Sequence, residues 1–234
     1  MSVKSVYIPA PQIESGRLRI LGDEHQHLKV ARAEAEELVE VFDGQGSVWI
    51  AKVESVGKRE TLVQILESRR EDNVKPELIL GLSLVKPAAF ELALEKAVEI
   101  GVGSIVPIIA SRSNSAPGRR SDRWTRILIE AAKQSKRYHL PMIEEPVRFD
   151  IALDRPAATK IVFAERGGGP LKSALAGNPA FFLIGPGGGW TDAELDGARN
   201  KGFALVGLGE GILRTETAAI VGAALIRYEL QRTS

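Results

Sequence analysis

The stretch from Leu205 to Leu225 reads "LVGLGEGILRTETAAIVGAAL". It begins as a short apolar strand, continues with glycines at 207, 209 and 211, and ends in a run of small residues typical of a closely packed helix. Arg214 and Glu216 lie between these two halves. Glycine lets backbone N–H and C=O groups approach a ligand without a side chain in the way. We therefore expect a strand, a ligand-binding loop and a helix in this order.

Two other strand-like segments end in glycine-rich loops. The first loop is "VFAERGGGP" (162–170), the second is "LIGPGGGW" (183–190), and the third is "VGLGEGILR" (206–214). In an open α/β sheet the ligand lies beyond the carboxyl ends of the strands, so three such loops in succession favour one shared site. No Gly-Lys-Ser/Thr follows any glycine run, and only one helix follows Gly211, which excludes a P-loop and a complete dinucleotide-binding fingerprint. The pattern predicts a nucleotide-like ligand that is held by another arrangement.

The first 70 residues are predicted to form a small antiparallel barrel. The strands are expected at Val3–Ile8, Leu18–Leu21, Leu38–Phe42, Ser47–Val56 and Leu62–Leu66. The "DGQG" segment, Asp43 to Gly46, supplies the residues of a tight turn between two of them. Between the early strands Asp23 can cap a helix, to which Leu28, Val30 and Ala31 give an apolar side.

From Leu78 onward strands alternate with helices. Ser68 to Pro76, "SRREDNVKP", is polar and ends in proline, so it is predicted to be a linker between two domains. The expected strands are 78–85, 104–110, 160–164, 180–185 and 203–209, and the expected helices are Ala88–Ile100, Trp124–Ser135, Asp192–Lys201 and Thr215–Gln231. Continuous apolar strands between helices indicate an α/β domain with a parallel sheet covered on both faces.

The composition excludes several classes of protein. The 234 residues are 44% apolar and 26% charged, which is sufficient to bury a core. There is no cysteine, and the three histidines are scattered, so neither a disulfide framework nor a metal enzyme is expected. No signal-peptide or membrane-spanning pattern is found, and we expect a cytoplasmic protein without a membrane partner.

The net charge of +1 conceals a basic stretch between Ser111 and His139. Its cations are Arg112, Arg119, Arg120, Arg123, Arg126, Lys133, Lys136 and Arg137, and its only acids are Asp122 and Glu130. A solvated helix face and a surface that binds a phosphate backbone would both give this pattern.

Several motifs together resemble one known family. They are "EHQHLKVAR" (24–32), "EKAVEIGVGSIVPI" (95–108), "RWTRILIEAAKQSKRYHLP" (123–141), "IGPGGGWTDAE" (184–194) and "LGEGILRTETAA" (208–219). These segments look like those of the bacterial 16S ribosomal RNA (uracil-N3) methyltransferases, which belong to the trefoil-knotted SPOUT superfamily. The resemblance covers nearly the whole chain, and "ILRTETAA" is its most specific part.

The resemblance implies both the fold and the cofactor. Residues 1–73 would form a PUA-like β-barrel domain that binds RNA, and residues 74–234 would form a SPOUT methyltransferase domain with a C-terminal trefoil knot. S-adenosylmethionine would lie bent among the three loops. Carried over by position, its binding residues would be Phe163, Glu165, Ile184, Gly185, Gly188, Leu208, Gly209, Ile212 and Leu213.

The same resemblance suggests how the reaction proceeds. Uracil N3 carries a proton, and Arg214 would stabilise the anion that remains once this proton is removed. Glu216 would either take the proton or orient Arg214. Thr215 is expected to be the N-cap of the last helix, whose free N–H groups attract an anion. The alternative is that Arg214 is a structural ion-pair partner and that Glu216 complements the helix dipole.

Two positions differ from the pattern of the family. Gly187 stands where the second loop usually has glutamate, and Gly211 stands where the third loop usually has arginine. Both differences bear on how tightly the cofactor is held.

The expected partner is 16S ribosomal RNA in the small ribosomal subunit. The predicted RNA contacts are Arg17, Lys29, Arg32, Arg112, Asn114, Arg123, Lys133 and Arg137. His25 and His27 are weaker candidates, and Trp124 is expected in the core. The small residues from Ala218 to Ala224 suit close helix packing, either within one subunit or between two, and the resemblance favours a homodimer.

Three other functions fit parts of the pattern. A ribose 2′-O-methyltransferase of the same superfamily would keep the fold and change the product. A non-catalytic RNA-binding module for ribosome assembly would agree with the two changed loop positions. A nicotinamide-dependent reductase fits least, because the dinucleotide-binding fingerprint is incomplete.

Overall fold

The computed structural model describes residues 3–73, 75, 77–114 and 121–232. The chain divides into two compact units, one of residues 1–73 with 132–140 and the other of residues 74–131 with 141–234. The predicted division after residue 73 did not include the segment 132–140 in the first unit. Val74 itself lies outside the described residues.

The first unit contains a six-stranded sheet and one helix. The elements are β1 (Lys4–Tyr7), β2 (Ile13–Glu14), β3 (Arg17–Ile20), α1 (Gly22–Val30), β4 (Leu38–Phe42), β5 (Ser47–Val56) and β6 (Thr61–Arg70). The strand order is β1-β4-β5-β6-β3-β2. The predicted antiparallel arrangement is confirmed for four of the five pairs, but β1 pairs with β4 in parallel. The short β2 was not predicted.

The "DGQG" turn joins β4 to β5 as the sequence predicts. Asp43 Oδ1 accepts hydrogen bonds from the backbone N–H groups of Gln45 at 2.7 Å and Ser47 at 2.9 Å. Gly44 and Gly46 have φ values of +76° and +96°, which side chains strongly disfavour. The turn therefore sets the register of the hairpin through its residue types.

Alternating side chains of this sheet and one face of α1 form the core of the first unit. Val39, Val41 and Val53 are fully buried, and Leu28 reaches the same cluster from α1. The predicted apolar side of α1 is only partly correct, because Val30 is 74% exposed. The prediction that Asp23 caps α1 is wrong. The helix is preceded by Leu21 without a side-chain cap, and Asp23 lies in its first turn.

Ion pairs that each include one buried side chain attach the segment 132–140 to the rest of this unit. Lys136 Nζ donates to Glu40 Oε1 at 2.8 Å, and Tyr138 Oη donates to Glu40 Oε2 at 2.9 Å. Lys133 Nζ lies 3.1 Å from Glu24 Oε1. Burial alone would raise the pKa of Glu40, but these hydrogen bonds outweigh it and hold the pKa below its usual value. Burial and the bond to Glu40 also raise the pKa of Tyr138 to about 12.

We expect Glu40→Gln to lower the free energy of unfolding at pH 7 by about 1–3 kcal/mol, as for a weakened buried hydrogen-bond network. A lowered folded-state pKa stabilises the protein above the unfolded pKa, and this contribution is lost as the pH falls through the folded value. The difference between variant and wild type in urea unfolding should therefore shrink on acidification below a pH of about 4. Glu36→Gln is the control, because the Glu36 side chain is 75% exposed in its pair with Lys52. An equal loss in both variants would contradict the role of Glu40.

The second unit contains a parallel sheet with helices. Its strands are β7 (Leu78–Ser83), β8 (Ser104–Ile109), β9 (Met142–Ile143), β10 (Val147–Arg148), β11 (Thr159–Phe163), β12 (Ala180–Ile184) and β13 (Ala204–Val206). Its helices are α2 (Pro87–Ile100), α3 (Ser121–Ser135), α4 (Phe149–Ala152), α5 (Leu171–Ala174), α6 (Asp192–Asn200) and α7 (Thr215–Arg232), with the last part of α3 in the first unit. The order is β10-β8-β7-β12-β11-β13, and β9 also pairs with β8.

All described pairs in this sheet are parallel, which confirms the predicted α/β domain. Strands β7 and β12 are buried along their whole length, as the continuous apolar runs indicate. The predicted linker begins too early, because Ser68 to Arg70 still belong to β6. Pro76, at its end, lies outside the described residues.

The small residues of α7 serve packing within the chain. The helix contacts α2, β7 and β12. Ala219, Gly222 and Ala223 are buried, and a Cβ at Gly222 would lie 2.7 Å from the ring of Phe163. This contact brings α7 against the end of β11. The trefoil knot implied by the resemblance stays a prediction. None of the described helices has the length and apolar character needed to cross a bilayer.

Candidate cofactor and RNA site

The three glycine loops follow three neighbouring strands. Strand β11 pairs with β12 on one side and with β13 on the other, always in parallel. The first loop leaves β11, the second leaves β12 and the third leaves β13, so all three leave the same edge of the sheet. The sequence argument that they meet at one site agrees with this order.

Backbone contacts hold the first loop against the third. Gly169 N–H donates to the carbonyl of Leu205 at 2.9 Å, and Ala164 N–H donates to that of Val206 at 2.9 Å. A Cβ at Gly168 would lie 2.3 Å from the backbone nitrogen of Gly207. Only glycine allows the two loops to approach this closely.

The second loop is a tight turn that is fixed by side chains from other elements. Gly189 N–H donates to the carbonyl of Pro186 at 2.8 Å. Trp190, which is buried, donates from Nε1 to the carbonyl of Phe163 at 3.0 Å. Arg112 Nη1 donates to the carbonyl of Gly188 at 2.6 Å. The loop is therefore connected both to β11 and to the segment after β8.

Thr215 forms a further connection to the second loop. Its Oγ1 donates to the carbonyl of Gly185 at 2.9 Å, and the residue is 6% exposed. The prediction that Thr215 caps α7 is wrong. Thr215 is the first residue of the helix, and the carbonyl of Arg214 accepts the hydrogen bond from Ala218 N–H at 2.8 Å.

The loops enclose a cavity of about 370 Å³, which we call the glycine-loop cavity. Eight of the nine residues predicted to bind the cofactor line it: Phe163, Glu165, Ile184, Gly185, Gly188, Leu208, Gly209 and Leu213. Ile212 does not line it and is 76% exposed. The structure thus brings together all of this predicted set except Ile212, and their role as cofactor ligands stays a prediction.

The cavity also has charged groups at its walls. Glu165, Arg166, Asp192 and Arg112 line it. The Glu165 carboxylate oxygens lie 3.6 Å from where a Cβ at Gly189 would stand, so a negative charge faces the second loop although Gly187 carries none. A Cβ at Gly187 or at Gly211 would meet no described atom within 4 Å. The two departures from the family pattern therefore lie at open positions.

A buried carboxylate connects α6 to the segment after β8. Thr191 and Glu194 form a capping box at the start of α6, and Glu194 Oε1 also accepts the N–H of Ser111 at 2.8 Å. Burial would raise the pKa of Glu194, but the hydrogen bonds from Ser111 and Thr191 outweigh it and lower the pKa. The charged carboxylate thereby holds the residue before Arg112 in place.

The two predicted catalytic residues lie at the start of α7 and outside the wall of the cavity. Arg214 is exposed and Glu216 is half-buried. Neither side chain forms an ion pair with any residue that the structure describes. Within that part of the chain, the alternative of a structural ion pair for Arg214 has no support. Their catalytic roles stay predictions.

The predicted RNA contacts in the first unit divide into exposed and buried cations. Lys29 and Arg32 are exposed, and Arg17 pairs with Glu54 while its side chain stays 56% exposed. Arg137 is half-buried. Lys133 must be removed from the predicted set, because its side chain is only 6% exposed and is bound to Glu24.

The predicted contacts in the second unit also differ in their surroundings. Arg123 donates two hydrogen bonds to Glu91, at 2.5 and 2.6 Å, while its side chain is 67% exposed. Arg112 lines the glycine-loop cavity, and Asn114 is exposed. Arg119 and Arg120 lie outside the described residues. The basic stretch is therefore not one uniform solvated face, since several of its cations serve internal contacts.

Three aromatic or histidine side chains were assigned from sequence. Trp124 is 6% exposed and packs on Phe90 with ring centroids 4.8 Å apart, which confirms its place in the core. His25 is 4% exposed and its Nδ1 lies 2.9 Å from Thr61 Oγ1, so stacking of this ring on RNA is excluded in the described conformation. His27 is exposed. Within the described ranges no three histidine or acidic side chains come close enough to hold a metal ion.

Sequence reasoning missed several residues of the cavity wall. Trp190, Asp192 and Thr215 line it, and Arg112 was predicted to contact phosphate only. Trp190 is the last residue of the second loop and Thr215 directly follows the third, so their adjacency to the glycines was the available signal. Nothing in the sequence indicated that Arg112 contacts a loop 76 positions away.

Comparisons with known proteins agree with this architecture. Residues 72–227 match the family model of an RNA methyltransferase domain, and residues 20–66 match that of an RNA methyltransferase PUA domain. Two relatives are ribosomal RNA small subunit methyltransferases E. The one from Synechocystis sp. is 31% identical, with 99% of this chain and 79% of the relative covered, and the one from Aquifex aeolicus is 34% identical, with 88% and 92% covered.

A solved structure is also similar over nearly the whole chain. The crystal structure of ribosomal RNA small subunit methyltransferase E from Neisseria gonorrhoeae, bound to S-adenosyl methionine, has a TM-score of 0.90 and 29% identity and covers 97% of this chain and 98% of its own. Fold and loops thus define an RNA methyltransferase with an N-terminal PUA domain. The chain belongs to the family of the ribosomal RNA small subunit methyltransferases E.

Proposed function

We propose that this protein transfers a methyl group from S-adenosylmethionine to N3 of a specific uridine in 16S ribosomal RNA. The observation that carries the proposal is that three glycine loops enclose one cavity beside the start of α7, where Arg214 stands. Membership of the family supports methyl transfer to ribosomal RNA. The resemblance of "ILRTETAA" to the uracil-N3 methyltransferases supports N3 of uracil as the methylated atom.

The residues of the glycine-loop cavity fit this cofactor. Ile184, Leu208 and Leu213 offer apolar surface to an adenine ring, and Glu165 offers a carboxylate to a cationic group. Glycines at 185, 188 and 209 leave backbone groups accessible. S-adenosylmethionine supplies a methyl group on a positively charged sulfur. A small-molecule site usually combines apolar surface with a few placed polar groups, and this cavity adds four charged side chains, those of Arg112, Glu165, Arg166 and Asp192.

The residues at the start of α7 suit a base that must lose a proton. The free N–H groups of a helix start carry about half a positive charge, and the Arg214 guanidinium adds a full one. We assign Arg214 to stabilisation of the uracil anion, while Glu216 accepts the N3 proton or orients Arg214. Because Arg214 is exposed beside the cavity, an RNA base can reach it.

The function is tested on ribosomal subunits from a strain that lacks this protein. The purified protein and S-adenosylmethionine are added, and the methylated nucleoside is identified by digestion, mass spectrometry and mapping. We expect one 3-methyluridine in 16S RNA. A methylated ribose would support the 2′-O-methyltransferase alternative. Absence of methylation and of binding heat with S-adenosylmethionine would support a non-catalytic module. The same assay on naked RNA and on assembled small subunits identifies the substrate.

RNA binding should weaken steeply with salt, because cations of the protein displace counterions from phosphates. We expect Lys29→Ala to reduce the slope of log K against log salt by about 0.7 to 0.9 with an unchanged Tm. Lys133→Ala should leave the slope unchanged and lower the Tm, since it removes the buried partner of Glu24. A filter-binding titration and thermal unfolding measure both quantities. A reduced slope for Lys133→Ala together with an unchanged slope for Lys29→Ala would contradict the assignment of Lys29 as an RNA contact.

We further propose a cytoplasmic homodimer that acts on the small subunit. On α7 the side chains of Leu225 and Tyr228 are 41% and 58% exposed, and Leu92 on the neighbouring α2 is 40% exposed. Such apolar groups on two packed helices suit contact with a second copy. Sedimentation at micromolar concentration should give the mass of a dimer, and a monomer alone would exclude this proposal.

A further inference from the structure

The Thr215 hydroxyl joins two parts of the site that would serve different reactants. Thr215 begins α7, and its Oγ1 donates to the carbonyl of Gly185 at the start of the second loop. Both residues line the glycine-loop cavity. The chain neighbours of Thr215 are Arg214 and Glu216, which would act on the RNA base. One hydrogen bond of 2.9 Å from the buried Thr215 thus connects the cofactor loop to the proposed catalytic pair.

The second loop needs such an external connection. Positions 187–189 are all glycine, and consecutive glycines have little conformational preference of their own. The hydrogen bond from Gly189 to Pro186 closes only the tip of the turn. Trp190 fixes the far end through the carbonyl of Phe163, and Thr215 fixes the near end. Arg112 holds the carbonyl of Gly188 between these two ends, and the Thr215 hydroxyl connects Gly185 directly to α7.

We propose that Thr215 is a positioning residue for methyl transfer, which keeps the cofactor bound by the second loop in line with the base held at Arg214. This inference rests on the proposed function and adds to it a residue that touches neither reacting atom. Displacement of a reacting group by about 1 Å can lower the rate of an in-line transfer by about 100-fold. The effect should therefore be larger on the rate of transfer than on RNA binding.

The side-chain chemistry allows a sharp set of variants. Thr215→Val keeps the shape and the branched Cβ but leaves the half-buried Gly185 carbonyl without this donor, which costs free energy because the carbonyl is partly shielded from water. Thr215→Ser keeps the donor and loses only a methyl group. Thr215→Ala removes the hydroxyl without placing a new methyl group at its position, and it replaces the valine variant if that one does not fold.

The experiment measures three quantities on the full chain well below the Tm. They are the single-turnover rate with ribosomal subunits at saturating S-adenosylmethionine, the Kd of S-adenosylmethionine by calorimetry, and the Kd of the RNA. For Thr215→Val we expect a rate about 10- to 100-fold lower, up to the loss that a misplacement of about 1 Å causes. The Kd of S-adenosylmethionine should rise, and RNA affinity should stay within about twofold. Thr215→Ser should recover most of the rate.

Three other results would overturn the inference, and they show whether the proposed function fails as well. A valine variant with a lower Tm but the wild-type rate at saturation would show a merely structural residue and overturn the inference, while the proposed function would stand. A serine variant as slow as the valine variant would overturn it as well, because the hydroxyl would not be responsible. If the wild-type protein neither binds S-adenosylmethionine nor methylates the subunit, the proposed function fails and this inference fails with it.

Discussion

Arg214→Ala should lower the rate of methyl transfer by about 100-fold or more, the loss measured when a group that stabilises a developing anion is removed. Arg214 stands at the start of α7, is exposed, and has no ion-pair partner among the described residues. It lies outside the wall of the glycine-loop cavity. The Kd of S-adenosylmethionine should therefore change little, and the loss should appear in the rate at saturation.

The controls for Arg214 separate charge from helix stability. Arg214→Lys keeps the charge but loses the planar guanidinium, so an intermediate rate is expected. Arg232→Ala removes an exposed arginine from the opposite end of the same helix and should leave the rate unchanged. Loss of cofactor binding in Arg214→Ala, with normal turnover of the enzyme that still binds, would contradict the assigned role.

Gly168→Ala should impair the site through its backbone. The added Cβ would lie 2.3 Å from the nitrogen of Gly207 and 2.5 Å from the carbonyl carbon of Val206, so the first and third loops must separate. Overpacking of this kind costs about 1–3 kcal/mol, which lowers the Tm by about 2 to 12 °C. Because the separated loops belong to one cavity, we also expect the affinity for S-adenosylmethionine to fall about tenfold, which corresponds to about 1.4 kcal/mol of this cost.

The adjacent glycine provides a matched control. A Cβ at Gly169 would have its nearest described neighbour, the carbonyl oxygen of Leu205, at 3.9 Å, which is ordinary contact. Gly169→Ala keeps the N–H that donates to this carbonyl. Thermal unfolding and calorimetry should show a clear loss for Gly168→Ala and a small one for Gly169→Ala. Similar values for both would mean that the close approach at residue 168 does not matter.

Local patterns of the sequence predicted much of the fold. The bounds of β4 and β5 agree with the structure because β5 alternates apolar and polar residues for most of its length and "DGQG" specifies the turn between the two strands. The continuous apolar strands of the second unit predicted a parallel sheet, because the strands of such a sheet are covered on both faces. The predictions were wrong where the structure depends on contacts between segments far apart in the chain. The parallel pairing of β1 with β4 is an example.

The candidate site was predictable to the extent that it consists of the glycine loops themselves. Its other parts depend on contacts between positions far apart in the chain. Thr215 follows the pattern of an N-cap, but its hydroxyl bonds to Gly185, 30 positions earlier. Lys133 follows the pattern of a phosphate ligand, but Glu24, 109 positions away, binds it in the interior of the first unit. A sequence pattern gives the residue type and not its partner.

A crystal of this protein soaked with S-adenosylmethionine tests most directly whether the three loops form one cofactor site. We predict that the adenine lies against Ile184, Leu208 and Leu213 and that the methyl group points to the start of α7 beside Arg214. Loops that remain empty in such a crystal, or that hold a different molecule which the enzyme consumes, would contradict this.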